Sequence, residues 1–235
     1  MAMEQGKKAV LLGATGLIGA FLLELLLDAP AYETVTVITR KRLPEHPKLR
    51  QVVLPDFGDL EQYGDAFAGA EDVFCCLGTT IKQAGSQEQF RIVDYTYPVL
   101  AARLAQAAGA RRYLVVSAMG ASAQSRVFYS RVKGEMEEAI RALGLPGVSI
   151  MRPSLLLGER QPHSRKERQS FRLGETVAIW LFRRLSFLFR GPLRKYRAIE
   201  ARDVAAIMLR VAQMYLPGTH IYENDQLHAM APRSR

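Results

Sequence analysis

The sequence predicts an α/β fold, a doubly wound parallel sheet built as a single domain over residues 1–235, and three observations predict it. Short apolar runs alternate along the chain with longer amphipathic ones, the pattern of repeated β-α units. A glycine-spaced turn, Gly13-Ala14-Thr15-Gly16-Leu17-Ile18-Gly19, joins the first apolar run to the first amphipathic segment. The 235 residues, 49% apolar and 23% charged, can bury one sizeable core, and no internal repeat or long linker marks a second domain.

The elements follow in order. Strands are expected over 9–12, 35–39, 52–54, 73–77, 113–117 and 148–151, each short, apolar and rich in Val, Ile or Leu. Helices are expected over 17–27, 63–67, 87–108 and 128–143. Gly109 and Gly144 follow two of these helices, where a left-handed cap is wanted. After Arg152 the pattern loosens. Residues 158–200 form an expected substrate-side insertion: a charged loop, an apolar stretch from 177 to 189 holding Trp180, then basic residues. Most of that apolar stretch suits a helix packed on the sheet, with some side chains free to line an apolar pocket. A helix over 203–215 and a strand near 220–222 close the chain.

Composition narrows the function. Cys75 and Cys76 are neighbours, so in a strand they point to opposite faces, and the expected reading is two thiols in a reducing, cytoplasmic compartment. No apolar stretch is long enough to span a bilayer, and the first residues show no signal-peptide pattern. The net charge of +9 is concentrated late in the chain without a zinc spacing, recognition helix or aromatic-interleaved RNA motif. A solvated basic face is expected there, with no nucleic-acid partner and no integral membrane association. His46, His163, His220 and His228 are scattered without metal-ligand spacing, so no metal is expected.

The glycine turn carries the first functional expectation. Directly after a strand and opening a helix, Gly13 turns the chain, Gly16 clears the approach of a pyrophosphate, and Gly19 lets helix and sheet pack closely. Thr15, Leu17 and Ile18 complete that phosphate-binding turn, and the phosphates meet the positive end of the helix. The second strand ends in Thr39-Arg40-Lys41-Arg42, where a site selective for NAD offers a carboxylate to the adenine ribose. A guanidinium suits a 2′-phosphate instead, so NADP(H) is expected over NAD(H), with Arg40 first and Lys41 second. The alternative is a plain basic strand end.

A second set of residues suggests chemistry. Tyr129 and Lys133 lie four apart on one predicted helix face, and Ser117 ends the strand before it. A nearby ammonium makes a phenol a better proton donor and acceptor, and a serine can hydrogen-bond the same carbonyl oxygen. The alternative for Lys133 is an ion pair with Glu137 one turn on.

Serine at a strand end followed by Tyr-x-x-x-Lys, with the glycine turn, resembles the short-chain dehydrogenase/reductase superfamily. The stretch Phe74-Cys75-Cys76-Leu77-Gly78-Thr79-Thr80, with Val132-Lys133-Gly134-Glu135 and Arg152-Pro153-Ser154, is similar to its atypical branch of Tat-interacting-protein (HTATIP2-like) oxidoreductases, over residues 8 to about 223. The resemblance implies a Rossmann-type fold binding NADP(H), with Leu77, Gly78 and Thr79 near the cofactor and Arg152 and Pro153 on the nicotinamide side. Asp56 and Phe57, just past the third strand, complete the expected cofactor set with Tyr129 and Lys133. Other branches of the superfamily use an asparagine on the fourth helix in a proton relay; here the only asparagine is Asn224, and that helix offers Asp94. Two functions are therefore expected: an NADPH-dependent oxidoreductase acting on a small carbonyl compound, or an NADPH-binding regulatory or scaffolding protein with little turnover.

Overall fold

The computed structural model describes residues 6–158, 196–214 and 216–232. Among them seven strands form one sheet in the order β3-β2-β1-β4-β5-β6-β9, with every neighbouring pair parallel. The strands are β1 (Lys7–Leu12), β2 (Tyr32–Thr39), β3 (Leu49–Val53), β4 (Asp72–Cys75), β5 (Arg112–Val116), β6 (Gly147–Arg152) and β9 (Gly218–Glu223). A separate two-stranded ladder pairs β7 (Leu156–Leu157) with β8 (Ile199–Glu200).

Both faces of the sheet are covered, which is why β4 reads as a continuous buried run instead of alternating with polar residues. Parity sorts the side chains. Val10, Leu12, Val73, Cys75, Tyr113 and Val115 pack with the helices α4 (Tyr97–Ala107) and α5 (Phe128–Ala142) and a 3-10 stretch at Phe57–Phe67. Ala9, Leu11, Phe74 and Leu114 pack on the other face with α1 (Leu17–Asp28), α6 (Ala201–Ala212) and α7 (Asn224–Met230).

The chain leaves β1 for β2 and β3 on one side, then returns to β4 on the other, so a crevice opens between the carboxyl ends of β1 and β4. Ligands of open α/β sheets bind at this kind of switch point.

The expected helix over 87–108 is broken. The short helices α2 (Ile81–Ala84) and α3 (Gln87–Arg91) precede a π-helical turn over Ile92–Thr96, and α4 starts only after it. Pro98 explains the break: without an N–H it cannot bond the carbonyl four residues back, and Tyr97 N–H instead reaches Ile92, five back. The 3-10 stretch begins earlier than the helix expected at 63–67 and kinks at Tyr63. Helix α7 went unread in the sequence. Gly109 and Gly144 do adopt left-handed φ values of +74° and +70°. The apolar stretch around Trp180 and the basic residues beside it lie outside the described residues, as does His163.

Candidate functional site: a dinucleotide crevice beside a buried lysine

The glycine turn closes on the end of β4. Gly13 has φ +85°, and a Cβ there would come within 2.6 Å of the Cys76 backbone. At Gly19 a Cβ would lie 2.1 Å from the Gly13 carbonyl oxygen, so only glycine lets α1 pack this tightly. Helix α1 begins without a side-chain cap and without an acidic residue in its first turn. No cap and no first-turn carboxylate of α1 itself offsets its N-terminal amides and dipole, which suits a pyrophosphate at the crevice. Thr15, Gly16, Leu17 and Ile18 stand at this turn, where the sequence places them.

At the end of β2, Arg40 and Lys41 are exposed, and the Thr39 hydroxyl donates to the Lys41 carbonyl oxygen at 3.0 Å, curling the strand end. The Asp56 carboxylate accepts the Gly58 N–H at 2.8 Å and a longer contact from the Tyr97 hydroxyl at 3.4 Å, while the Phe57 and Tyr97 rings lie 5.6 Å apart. Burial and the Asp56 carboxylate push the Tyr97 phenol up, and the Arg40 guanidinium opposes them. Tyr97 thus joins Arg40, Asp56 and Phe57 at one end of the crevice. The sequence reading missed it; the aromatic residue beside the helix-breaking Pro98 was the available signal.

Leu77, Gly78 and Thr79 leave β4 as a loop, and this loop meets α5. The Thr79 N–H donates to Asp94 Oδ2 at 2.9 Å, and Lys133 Nζ lies 2.8 Å from Asp94 Oδ1. A Cβ on Gly78 would sit 3.4 Å from Asp94 Oδ1 and 3.9 Å from Lys133 Nζ, ordinary contact distance. Both charged side chains are buried. Burial alone lowers the Lys133 pKa, but the Asp94 carboxylate and Tyr129 outweigh it and hold the lysine above its ordinary value. The pair's stabilisation is therefore present at neutral pH, below the lysine's unfolded value, and is lost as pH rises through the elevated one. Tyr129, one turn before Lys133, is half-buried with its ring 5.4 Å from Phe90. Gly134 is where α5 touches the loop after β5: a Cβ there would meet the Ser122 backbone at 2.1 Å.

Two residues expected at the site are committed elsewhere. The Ser117 hydroxyl donates to Glu137 Oε1, not to an open crevice. Arg152 grips the same carboxylate with two hydrogen bonds, Nε to Oε1 at 3.0 Å and Nη2 to Oε2 at 2.6 Å, and reaches Glu223 through Nη1 at 2.6 Å. Strand parity is the reason for Ser117: it continues the Tyr113, Val115 face, which looks toward α5. The Pro153 carbonyl oxygen accepts the Met119 N–H at 2.9 Å. Lys133 pairs with Asp94, so the alternative pairing with Glu137 does not occur.

Asn224 is buried and structural. Its Oδ1 accepts the Ser154 N–H and its Nδ2 donates to the Arg197 carbonyl oxygen, tying the chain after β6 to the chain before β8. Among the described residues no helix is long and apolar enough to cross a membrane, and no group of His, Cys, Asp and Glu could hold a metal ion.

The parallel sheet, its switch-point crevice and the glycine turn define a dinucleotide-binding protein of the Rossmann class. A family model described as NAD(P)H-binding matches residues 13–177, and the chain belongs to that family. It is 37% identical to protein HTATIP2 of Rattus norvegicus over 161 residues, covering 67% of this chain and 66% of the rat protein. It is 31% identical to the mitochondrial protein FMP52 of Debaryomyces hansenii over 207 residues, covering 87% of each. Among solved structures, MoeE5 in complex with UDP-glucuronic acid and NAD superposes with a TM-score of 0.66 at 18% identity, covering 91% of this chain and 75% of that one. The Bordetella bronchiseptica enzyme WbmH in complex with NAD+ gives a TM-score of 0.66 at 17% identity, covering 93% and 76%. These two likenesses are of fold.

Proposed function

We propose that the protein is an NADP(H)-dependent oxidoreductase that reduces a small carbonyl compound. The observation that carries this reading is the buried Asp94 carboxylate, which takes both the Thr79 N–H of the loop after β4 and the Lys133 ammonium, because it ties the helix face that bears Tyr129 and Lys133 to the loop beside the crevice. Gly13 and Gly19 let the turn close tightly on β4 and α1, Gly16 carries no side chain where a pyrophosphate would approach, and the uncapped start of α1 fits its charge. Arg40 and Lys41 would take the 2′-phosphate, with Asp56, Phe57 and Tyr97 beside the adenosine end. Leu77, Gly78 and Thr79 would face the nicotinamide end.

When bound, NADPH supplies the hydride. Tyr129 gives its proton to the oxygen that gains the electron pair as the C=O double bond becomes an alcohol. Lys133 stabilises the phenolate left behind, and solvent returns the proton. Ser117 takes no part, since its hydroxyl serves Glu137. A reducing aqueous compartment, the cytoplasm or the interior of a mitochondrion, suits the two free thiols of Cys75 and Cys76.

The test is a panel of aldehydes, ketones and quinones with NADPH, read by loss of its absorbance, together with NADPH affinity. Turnover that vanishes in Tyr129→Phe while affinity persists supports the reading; NADPH binding with no turnover on any member, in wild type and variant alike, overturns it. The engagement of Ser117 by Glu137 favours a second reading, an NADPH-sensing regulatory or scaffolding protein. Its mark is a protein partner whose affinity changes with NADPH occupancy and survives Tyr129→Phe.

A further inference from the structure

The loop that leaves β4 is held at both ends. At its start it presses on the glycine turn: a Cβ on Gly13 would lie 2.6 Å from the Cys76 carbonyl group and 2.8 Å from the Leu77 nitrogen. Three residues on, the Thr79 N–H donates to Asp94 Oδ2 at 2.9 Å. Leu77, Gly78 and Thr79 therefore join the glycine turn to a carboxylate on the π turn over Ile92–Thr96, and they stand beside whatever the turn holds. Asp94 is buried, and its other oxygen holds the Lys133 ammonium at 2.8 Å. A buried ion pair is weak evidence for stability, because desolvation offsets its attraction. A neutral amide could also accept one N–H. What the pair adds is placement: the ammonium on Oδ1 leaves Oδ2 as the oxygen aimed at Thr79, and an ionised acceptor makes the shorter, stronger bond.

We propose that Asp94 is a positioning residue for the nicotinamide half of the cofactor: it fixes the loop Leu77–Thr79 against the glycine turn, so that affinity for NADP(H) rises and falls with the Thr79 hydrogen bond. The inference rests on the NADP(H)-binding part of the proposed function, not on its chemistry. Lys133 gains a second task here, as the counter-ion that holds the carboxylate in the interior. The adenosine half is served from elsewhere, by Arg40 at the end of β2 and by Asp56 and Phe57 after β3, so the two halves of the cofactor respond differently when the loop is released.

Two substitutions separate the bond from the charge. Asp94→Asn keeps an oxygen for the Thr79 N–H and removes the charge; Asp94→Ala removes both. Lys133 loses its carboxylate in each, so the difference between the two variants isolates the Thr79 bond. Fluorescence titration should give an NADPH affinity about tenfold weaker in Asp94→Ala than in Asp94→Asn, the worth of one hydrogen bond. Adenosine 2′-monophosphate, which carries the adenosine end without pyrophosphate or nicotinamide, should bind both variants as it binds wild type, read by NMR titration. The emission of bound NADPH reports the surroundings of the nicotinamide ring; it should resemble wild type in Asp94→Asn and move toward that of free cofactor in Asp94→Ala.

Rescue by the amide supports the proposal, since a contact that served only the fold would not spare one end of the cofactor and weaken the other. Equal NADPH affinity in Asp94→Asn and Asp94→Ala overturns it, whether both match wild type or both fall. Parallel loss of adenosine 2′-monophosphate in Asp94→Ala also overturns it. Should either variant fail to fold, the comparison moves to Lys133→Met, which leaves no buried ammonium unpaired: a gap of about tenfold between Asp94→Asn/Lys133→Met and Asp94→Ala/Lys133→Met supports the inference, and its absence overturns it. A wild-type protein that binds no NADPH removes the cofactor reading and this inference together. The expected binding pattern without turnover on any carbonyl compound removes the reductase reading alone.

Discussion

Helix α5 carries two ionic clusters one turn apart, and they are built differently. At Lys133 a single ammonium meets a single carboxylate, Asp94, with the half-buried Tyr129 one turn earlier on the helix and the Thr79 N–H of the loop after β4 on the same carboxylate. At Glu137 the carboxylate is saturated: the Ser117 hydroxyl and two arms of Arg152 fill it, and Arg152 is tied again by Glu223. The second arrangement locks α5 to β5, β6 and β9. The first leaves one charged group beside a crevice with capacity to spare. Burial and charge alone do not distinguish a site from a brace; the number of partners per charge and what lies beyond them do.

The comparison breaks most visibly at Tyr129. If the Lys133 cluster is the working one, Tyr129→Phe lowers turnover by about 10²- to 10⁴-fold, the contribution of a positioned proton donor, while the NADPH dissociation constant stays close to wild type. Steady-state kinetics with fluorescence titration of NADPH checks both halves. Equal loss of turnover and of NADPH affinity would place the phenol among binding groups instead.

Glu137→Ala should act on folding. Removing one partner of a buried pair costs about 3 kcal/mol, at the lower end of the usual range because Arg152 keeps Glu223 and some solvent. Denaturant unfolding measures it, and the Glu137→Ala/Arg152→Ala double variant should recover part of the loss, since no guanidinium is then left uncompensated. Additive losses would show that the two side chains do not act as one brace.

At the far end of the crevice the effect is smaller and selective. Arg40→Gln should weaken NADPH by about 10- to 100-fold, the worth of hydrogen bonds to a charged phosphate, and leave NADH unchanged. Loss of both cofactors in parallel would mean that Arg40 steadies the strand end without reading the 2′-phosphate.

What the sequence disclosed follows the range of the interaction. The alternating runs and the glycine turn are local signals, so the sheet, the crevice and the left-handed Gly109 and Gly144 were legible. Tyr129 and Lys133 share a helix face at a fixed spacing and were legible for the same reason. Lys133 and Asp94 come from different segments, and their pairing exists only once the π turn and α5 pack together on one face of the sheet. The π turn was half-visible, because Pro98 announces a break without saying that it presents Asp94. The bond from Ser117 to Glu137 was not legible: counting by two from Tyr113 and Val115 turns Ser117 toward α5, but that helix carries Tyr129, Lys133 and Glu137 alike, and only the packed structure shows which of them it meets.

Ser117→Ala carries the smallest expected effect and separates the two clusters most cleanly. The substitution removes one donor from a carboxylate that retains both arms of Arg152, so stability should fall by about 1 kcal/mol in the same denaturant titration. Turnover should stay within about threefold of wild type, because nothing in the Lys133 cluster changes. A serine that hydrogen-bonds the substrate oxygen would instead cost turnover by a factor of a hundred or so with little change in stability. The two outcomes differ in which measurement moves, not merely in size. A large kinetic loss would require the Ser117 hydroxyl to leave Glu137 when substrate binds, and would merge the brace and the site into one network along α5.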